Sequence, residues 1–233
     1  MTRAEEYGKT AILLGASGLV GGLCLEALLK DAVYTRIVLL NRRALPIEAT
    51  PRVTQKAISF DRLSPGDFSG AHDVFSALGT TIRIAGSQEA FRKVDVEYPL
   101  TAARIAHQAG ARQFVLCSSV GADARARNFY LRTKGELEQE IGKLGFDRFH
   151  IFRPSLLLGK RKESRFGERA MQAVTPLVNT VMVGALRRYR GIPAATVGRA
   201  MVAAGDLSRT GTFIYEYDEI VRLGREKLGS PKR

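Results

Sequence analysis

The sequence predicts an α/β protein built on a doubly wound parallel sheet, and three observations predict it. Short apolar runs alternate with longer stretches of helical period, the pattern of repeated βα units. Within the runs, consecutive rather than alternate positions are apolar, as strands covered on both faces require. The 233 residues suffice for one large core without disulfide staples.

The first strand is TAILLG (10–15). The stretch LVGGLCLEALLKD (19–31) follows with apolar residues three and four apart, and RIVLLN (36–41) completes a βαβ unit. QKAISF (55–60), HDVFSAL (72–78), QFVLCSS (113–119) and RFHIFRP (148–154) read as further strands. Residues 97–108 and 130–144 carry the apolar spacing of helices packed between them. From about Lys160 the pattern changes to a basic loop, a mixed helical stretch (168–186) and an apolar helix, AATVGRAMVAAG (194–205). No repeat or polar linker interrupts the chain, so 1–233 is expected to be one domain, with its core in 1–159 and a small C-terminal helical cap in 160–233. The tail REKLGSPKR is expected to fray.

Cys24 and Cys117 lie in apolar runs and read as packed thiols in a reducing compartment. The first residues lack the apolar core of a signal peptide, and no run approaches the ~18–20 apolar residues of a membrane span. A cytoplasmic protein without membrane insertion is therefore expected. The net charge of +13 favours anionic partners in general. Residues 160–190 are especially basic but hold only Phe166 and Tyr189 as aromatics, unlike surfaces that stack nucleic-acid bases, so no specific nucleic-acid partner is expected.

Gly15, Gly18 and Gly21 sit where the first strand turns into the first helix. There, backbone N–H groups and the helix dipole meet a pyrophosphate; Gly15 and Gly18 allow the turn and the close approach, and Gly21 the packing of helix on sheet. Ser17 adds a hydroxyl donor. The arrangement is the dinucleotide-binding Rossmann unit. Binders of the non-phosphorylated dinucleotide carry an acid at the end of the second strand for the ribose hydroxyls. Here that strand ends in Asn41-Arg42-Arg43, with no carboxylate and two guanidiniums suited to a 2′-phosphate, so NADP(H) is the expected cofactor. Asp61 either accepts from the adenine amine or shapes a turn before Arg62.

Tyr130 and Lys134 have the i, i+4 spacing that places two side chains on one helix face. An ammonium beside a phenol favours its ionised form, which suits the pair to proton transfer, and Lys134 can also bond the nicotinamide ribose. Ser118 and Ser119 end the strand QFVLCSS, at the sheet edge where open α/β sheets bind ligands. Ser119 is taken as the hydroxyl that meets a substrate oxygen, with Ser118 the alternative.

Taken together, GASGLVG, VLLNRR, FSALGTT, LCSSVGAD, NFYLRTKGELE and FRPSLLLGKRKESR resemble the atypical short-chain dehydrogenase/reductase family, most closely its Tat-interactive-protein-like branch. The resemblance runs from about Thr10 to Arg165. It implies a Rossmann fold that binds NADPH through Ser17, Gly18, Leu19, Val20, Arg42, Arg43, Leu78, Gly79, Leu157 and Arg165. It implies Tyr130 as proton donor and acceptor with Lys134 as its partner. Many reductases of the family use a further active-site asparagine, which has no counterpart in these motifs. The function expected is NADP(H)-dependent oxidation or reduction of a small carbonyl or alcohol substrate. The alternative is an NADPH-binding regulatory or scaffold protein that engages a protein partner without catalysis.

Overall fold

The computed structural model describes residues 8–48, 50–159 and 182–229. Along the chain run β1 (Lys9–Leu14), α1 (Leu19–Lys30), β2 (Tyr34–Asn41), β3 (Val53–Ala57), β4 (Asp73–Ser76), α2 (Ile82–Ala85), α3 (Gln88–Arg92) and α4 (Tyr98–Gln108). They continue as β5 (Gln113–Cys117), α5 (Phe129–Gly142), β6 (Arg148–Phe152), β7 (Leu157–Leu158), β8 (Ile192–Pro193), α6 (Ala194–Gly205), β9 (Gly211–Tyr215) and α7 (Tyr217–Gly229). Seven of the described strands form one sheet in the order β3-β2-β1-β4-β5-β6-β9, and every pairing is parallel. The order reverses between β1 and β4, so a crevice opens beyond the carboxyl ends of those two strands.

Burial on both faces explains the unbroken apolar runs. Ala11 and Leu13 of β1 join one core with Cys24 and Leu28 of α1, Val197 and Met201 of α6, and Ile220 of α7. Ile12 and Leu14 join the other, with Ala102, Ala103 and Ala106 of α4 and Leu137 and Ile141 of α5. All six strands read from the sequence are present, within a few residues at their ends. The C-terminal part adds β9 at the sheet edge and α6 against α1 and α7, which the sequence reading did not separate from a cap. The start of the tail, Arg225 onward, continues α7 to Gly229 instead of fraying.

Three local devices set the geometry of the site. Arg52 closes the C-terminus of α1: its guanidinium donates to Leu29 O at 2.8 Å, Asp31 O at 2.6 Å and Tyr34 O. These carbonyls have no helical partner of their own. The N-terminus of α1 has no such cover, since Gly18 offers no side-chain cap and no acid occupies the first turn. Between α3 and α4, residues Lys93–Glu97 form a π-helical turn that buries Asp95 and Val96. Such turns insert one residue into a helix and recur at functional sites.

On β6, His150 is fully buried with Nδ1 2.9 Å from the Tyr215 hydroxyl, and its ring stacks on Phe213 and Tyr215. Burial, helped by the charges of Arg148 and Arg209, pushes its pKa down to about 4. The ring is therefore neutral at physiological pH.

Candidate functional site

The crevice is built from four strand ends. Gly15 ends β1 with φ +82°, and a Cβ placed on it would lie 2.6 Å from Ala77 O, so the loops after β1 and β4 are in direct contact. A Cβ on Gly21 would collide with the Gly15 carbonyl, which is how α1 begins so close beneath the loop. Gly18 N donates to Gly15 O at 2.9 Å and closes the turn. Ser17 and Gly18 are exposed at its tip, and Val20 is buried beneath. A bare helix N-terminus flanked by glycines is an anion site in form. The cleft above it is lined by Gly15, Ser17, Gly18, Asn41, Arg42, Phe60, Leu78, Gly79 and Tyr98, among others.

At the far end of the cleft, Asn41 is 5% exposed and its Nδ2 has no hydrogen-bond partner among the described residues. Arg42 and Arg43 follow at the surface and make no ion pair among the described residues. Phe60 and Tyr98 stack at 5.2 Å and form one wall. Asp61 sits beside that wall. Its carboxylate is held by Lys93 at 2.8 Å and by the Tyr98 hydroxyl at 3.2 Å, and the Lys93 hydrogen bond chiefly keeps its pKa below the ordinary carboxylate value.

At the other end, Gly79 opens onto the face of α5: its absent Cβ would lie 3.8 Å from Lys134 Nζ and 3.4 Å from Asp95 Oδ1. Lys134 is 4% exposed, and Nζ lies 2.7 Å from Asp95 Oδ1 and 5.9 Å from the centre of the Tyr130 ring. The other Asp95 oxygen accepts the Thr80 N–H at 2.8 Å. Burial pulls the Lys134 pKa down, but the Asp95 charge, with Tyr130, outweighs it and the net direction is up. Tyr130 is half-buried against Phe91, on a helix whose start is capped by Asn128 accepting Leu131 N–H. Cys117, below Lys134, stays a thiol because burial pushes its pKa up to about 11.

The two serines part company. Ser118 donates to Glu138 at 2.5 Å, and Glu138 is in turn held by Arg153 through several hydrogen bonds. Ser119 is half-buried, and among the described residues its hydroxyl makes only a 3.5 Å contact with Val120 O. Glu138 and Arg153 also border a hollow of about 280 Å³ on the outer flank of α5, away from the cleft. Leu157 lies in β7, paired with Ile192, and packs on the core around α1; Leu19 meets the neighbouring Gly159. Arg165 lies outside the described residues, as do Lys160, Arg161 and Lys162 and most of the stretch 168–186.

Sequence reasoning missed Asp95, Phe60, Tyr98 and the Glu138–Arg153 pair. All but Asp95 lay within patterns that had been read, Phe60 in the third strand, Tyr98 in the helix 97–108, Glu138 in the helix 130–144 and Arg153 in RFHIFRP, without being singled out.

The rat protein HTATIP2 is 37% identical over 229 residues, covering 95% of this chain and 91% of that protein. The chain belongs to the atypical short-chain dehydrogenase/reductase family. Another member of that family, Candida albicans protein FMP52, mitochondrial, is 32% identical over 231 residues, covering 94% and 96%. No protein-family model matches the chain. Among solved structures, MoeE5 in complex with UDP-glucose and NAD superposes with a TM-score of 0.67 at 15% identity, over 95% of this chain and 82% of that one. DesIV, a dTDP-glucose 4,6-dehydratase from Streptomyces venezuelae with NAD bound, gives 0.67 at 15% identity, over 95% and 81%. These likenesses establish the shared Rossmann-type fold.

The cytoplasmic location expected from the sequence is corrected here. The FMP52 relatives from C. albicans, Scheffersomyces stipitis and Aspergillus niger are named mitochondrial. The expectation rested on the lack of a secretory signal pattern and of a membrane span and on two packed thiols, which do not tell one reducing compartment from another. Among the described residues no helix is long and apolar enough to cross a membrane.

Proposed function

We propose that this protein is an NADP(H)-dependent oxidoreductase acting on a carbonyl or alcohol substrate. The observation that carries the reading is the meeting of the Tyr130–Lys134 helix face with the glycine-lined cleft at Gly79. The residues present suit a dinucleotide. Gly15 and Gly21 let the loop and α1 close tightly beneath the cleft, the α1 N-terminus is uncapped, and the buried Asn41 Nδ2 has no hydrogen-bond partner among the described residues. Arg42 and Arg43 stand where an acid would hold free ribose hydroxyls, and they favour the phosphorylated dinucleotide.

The bound cofactor supplies hydride transfer. Tyr130 delivers the proton to, or removes it from, the substrate oxygen. Lys134 keeps positive charge beside the phenol, and Ser119, whose hydroxyl is not held by Glu138, donates to the same oxygen. Arg153 and Glu138 fix Ser118 and with it the start of the loop that carries Ser119.

Calorimetric titration tests the cofactor assignment. NADPH should bind at least tenfold more tightly than NADH, a difference of ~1.4 kcal/mol. Replacing Arg42 and Arg43 with alanine should weaken NADPH and leave NADH nearly unchanged. Equal affinities for the two cofactors would refute the assignment.

A further inference from the structure

We propose that Asp95 is a positioning residue of the nicotinamide end, holding Lys134 as an ammonium at the floor of the cleft and tying it to the loop after β4. The proposal rests on the reading of Tyr130 and Lys134 as the proton-handling pair.

Three independent observations meet at this carboxylate. First, the π-helical turn Lys93–Glu97 turns Asp95 inward, leaving it 1% exposed, although a carboxylate on a helix surface would ordinarily face water. Second, its two oxygens serve different elements: Oδ1 meets Lys134 Nζ of α5 at 2.7 Å, and Oδ2 accepts the Thr80 N–H of the cleft loop at 2.8 Å. Third, the pair lies directly behind Gly79 of the cleft lining, where a Cβ would come within 3.4 Å of Asp95 Oδ1 and 3.8 Å of Lys134 Nζ, so it is buried next to the cleft wall. Oδ1 makes no further hydrogen bond.

Among the described residues, the groups facing Lys134 are Asp95 from the π turn, Tyr130 from its own helix and Cys117 from β5. Cys117 is a neutral thiol, so Asp95 is the one carboxylate among them. A lysine this buried would lose its proton readily without a counter-charge. With Asp95 in place it remains an ammonium, and the charge available to Tyr130 does not fade as pH rises through the working range. The Thr80 bond adds a geometric role, because a shift of the loop would also move the carboxylate that aims Lys134.

The test follows the lysine itself and so does not depend on turnover. Lysine ¹³Cε resonances are titrated by NMR in the full chain, with Lys134 assigned by its loss in Lys134→Arg. In the wild type, Lys134 should titrate above the ~10.4 of an exposed lysine. Asp95→Asn should lower its midpoint by at least one pH unit, a tenfold loss of proton affinity, and Asp95→Glu should restore part of it. A wild-type midpoint at or below that of exposed lysines overturns the proposal, even if Asp95→Asn fails to fold. So does an Asp95→Asn variant that folds and leaves the midpoint unmoved. Failure of the oxidoreductase reading would show separately, as a Tyr130→Phe variant indistinguishable from wild type in turnover with the lysine titration unaffected.

Discussion

Acid should destabilise this protein through one buried ring, and the amount can be worked from the structure. His150 has its pKa lowered from 6.5 to about 4 by burial and by Arg148 and Arg209. Between those values the unfolded chain binds the proton and the folded one does not. The contribution is therefore fully present above about pH 6.5 and is lost as pH falls towards 4. At full extent it corresponds to about 3 kcal/mol, of which roughly 2 kcal/mol disappears between pH 7 and pH 4.5. That is a sizeable part of the ~5–15 kcal/mol by which domains are stable.

Urea unfolding at the two pH values, in wild type and His150→Phe, isolates this part. Phenylalanine keeps the stacking on Phe213 and Tyr215 but cannot titrate. It strands the Tyr215 hydroxyl, which costs about 1–2 kcal/mol at either pH. Carboxylates protonate in both proteins, so the difference of differences belongs to the ring. With m of roughly 2–3 kcal/mol/M for a chain of this size, the wild-type midpoint should fall by about 1 M more than that of the variant. Equal acid losses in the two proteins would refute the reasoning.

Other perturbations address the site. Gly21→Ala drives a methyl into the Gly15 carbonyl, so α1 must retreat from the loop. Calorimetry should show at least a tenfold loss of NADPH affinity together with about 1–3 kcal/mol of overpacking strain, and unchanged binding would contradict the packing described. Glu138→Ala strips Arg153 and Ser118 of their shared acceptor. Leaving one member of a buried pair alone costs ~3–5 kcal/mol, so Tm should drop by roughly 6–20 °C, and a drop under 3 °C would count against the network. Tyr130→Phe should reduce any turnover ~10²–10⁴-fold while NADPH affinity stays within a few fold, as stopped assays and titration can check.

Most of the sheet was legible because parallel strands buried on both faces leave apolar runs, as in β1, β2, β4, β5 and β6, whereas the edge strand β3 buries no residue and was read from the weaker run QKAISF. β9 escaped because it is an edge strand, with Gly211, Thr212 and Ile214 exposed, so GTFIY carries no such run. The phosphate loop and the Tyr130–Lys134 helix were readable because their chemistry depends on residues adjacent in sequence or one helical turn apart. Asp95 was not readable. Nothing in VDVE distinguishes an inward carboxylate from a solvated one, and only the π turn, a backbone event without its own residue signature, decides which it is. The choice between the two serines likewise needed Glu138, twenty positions away, to occupy one of them.

The π turn also separates the site from the core in a way that substitution cannot. A residue replaced within Lys93–Glu97 changes one side chain, whereas a residue deleted there would let the wide turn tighten into an ordinary α-helical one. Because the turn itself takes up the extra residue, Ala102, Ala103 and Ala106 would keep the small-residue face that lets α4 lie against the sheet. The inward carboxylate is what such a deletion would remove. One residue fewer in this turn would thus take away the partner of Lys134 and leave α4 in register with the core.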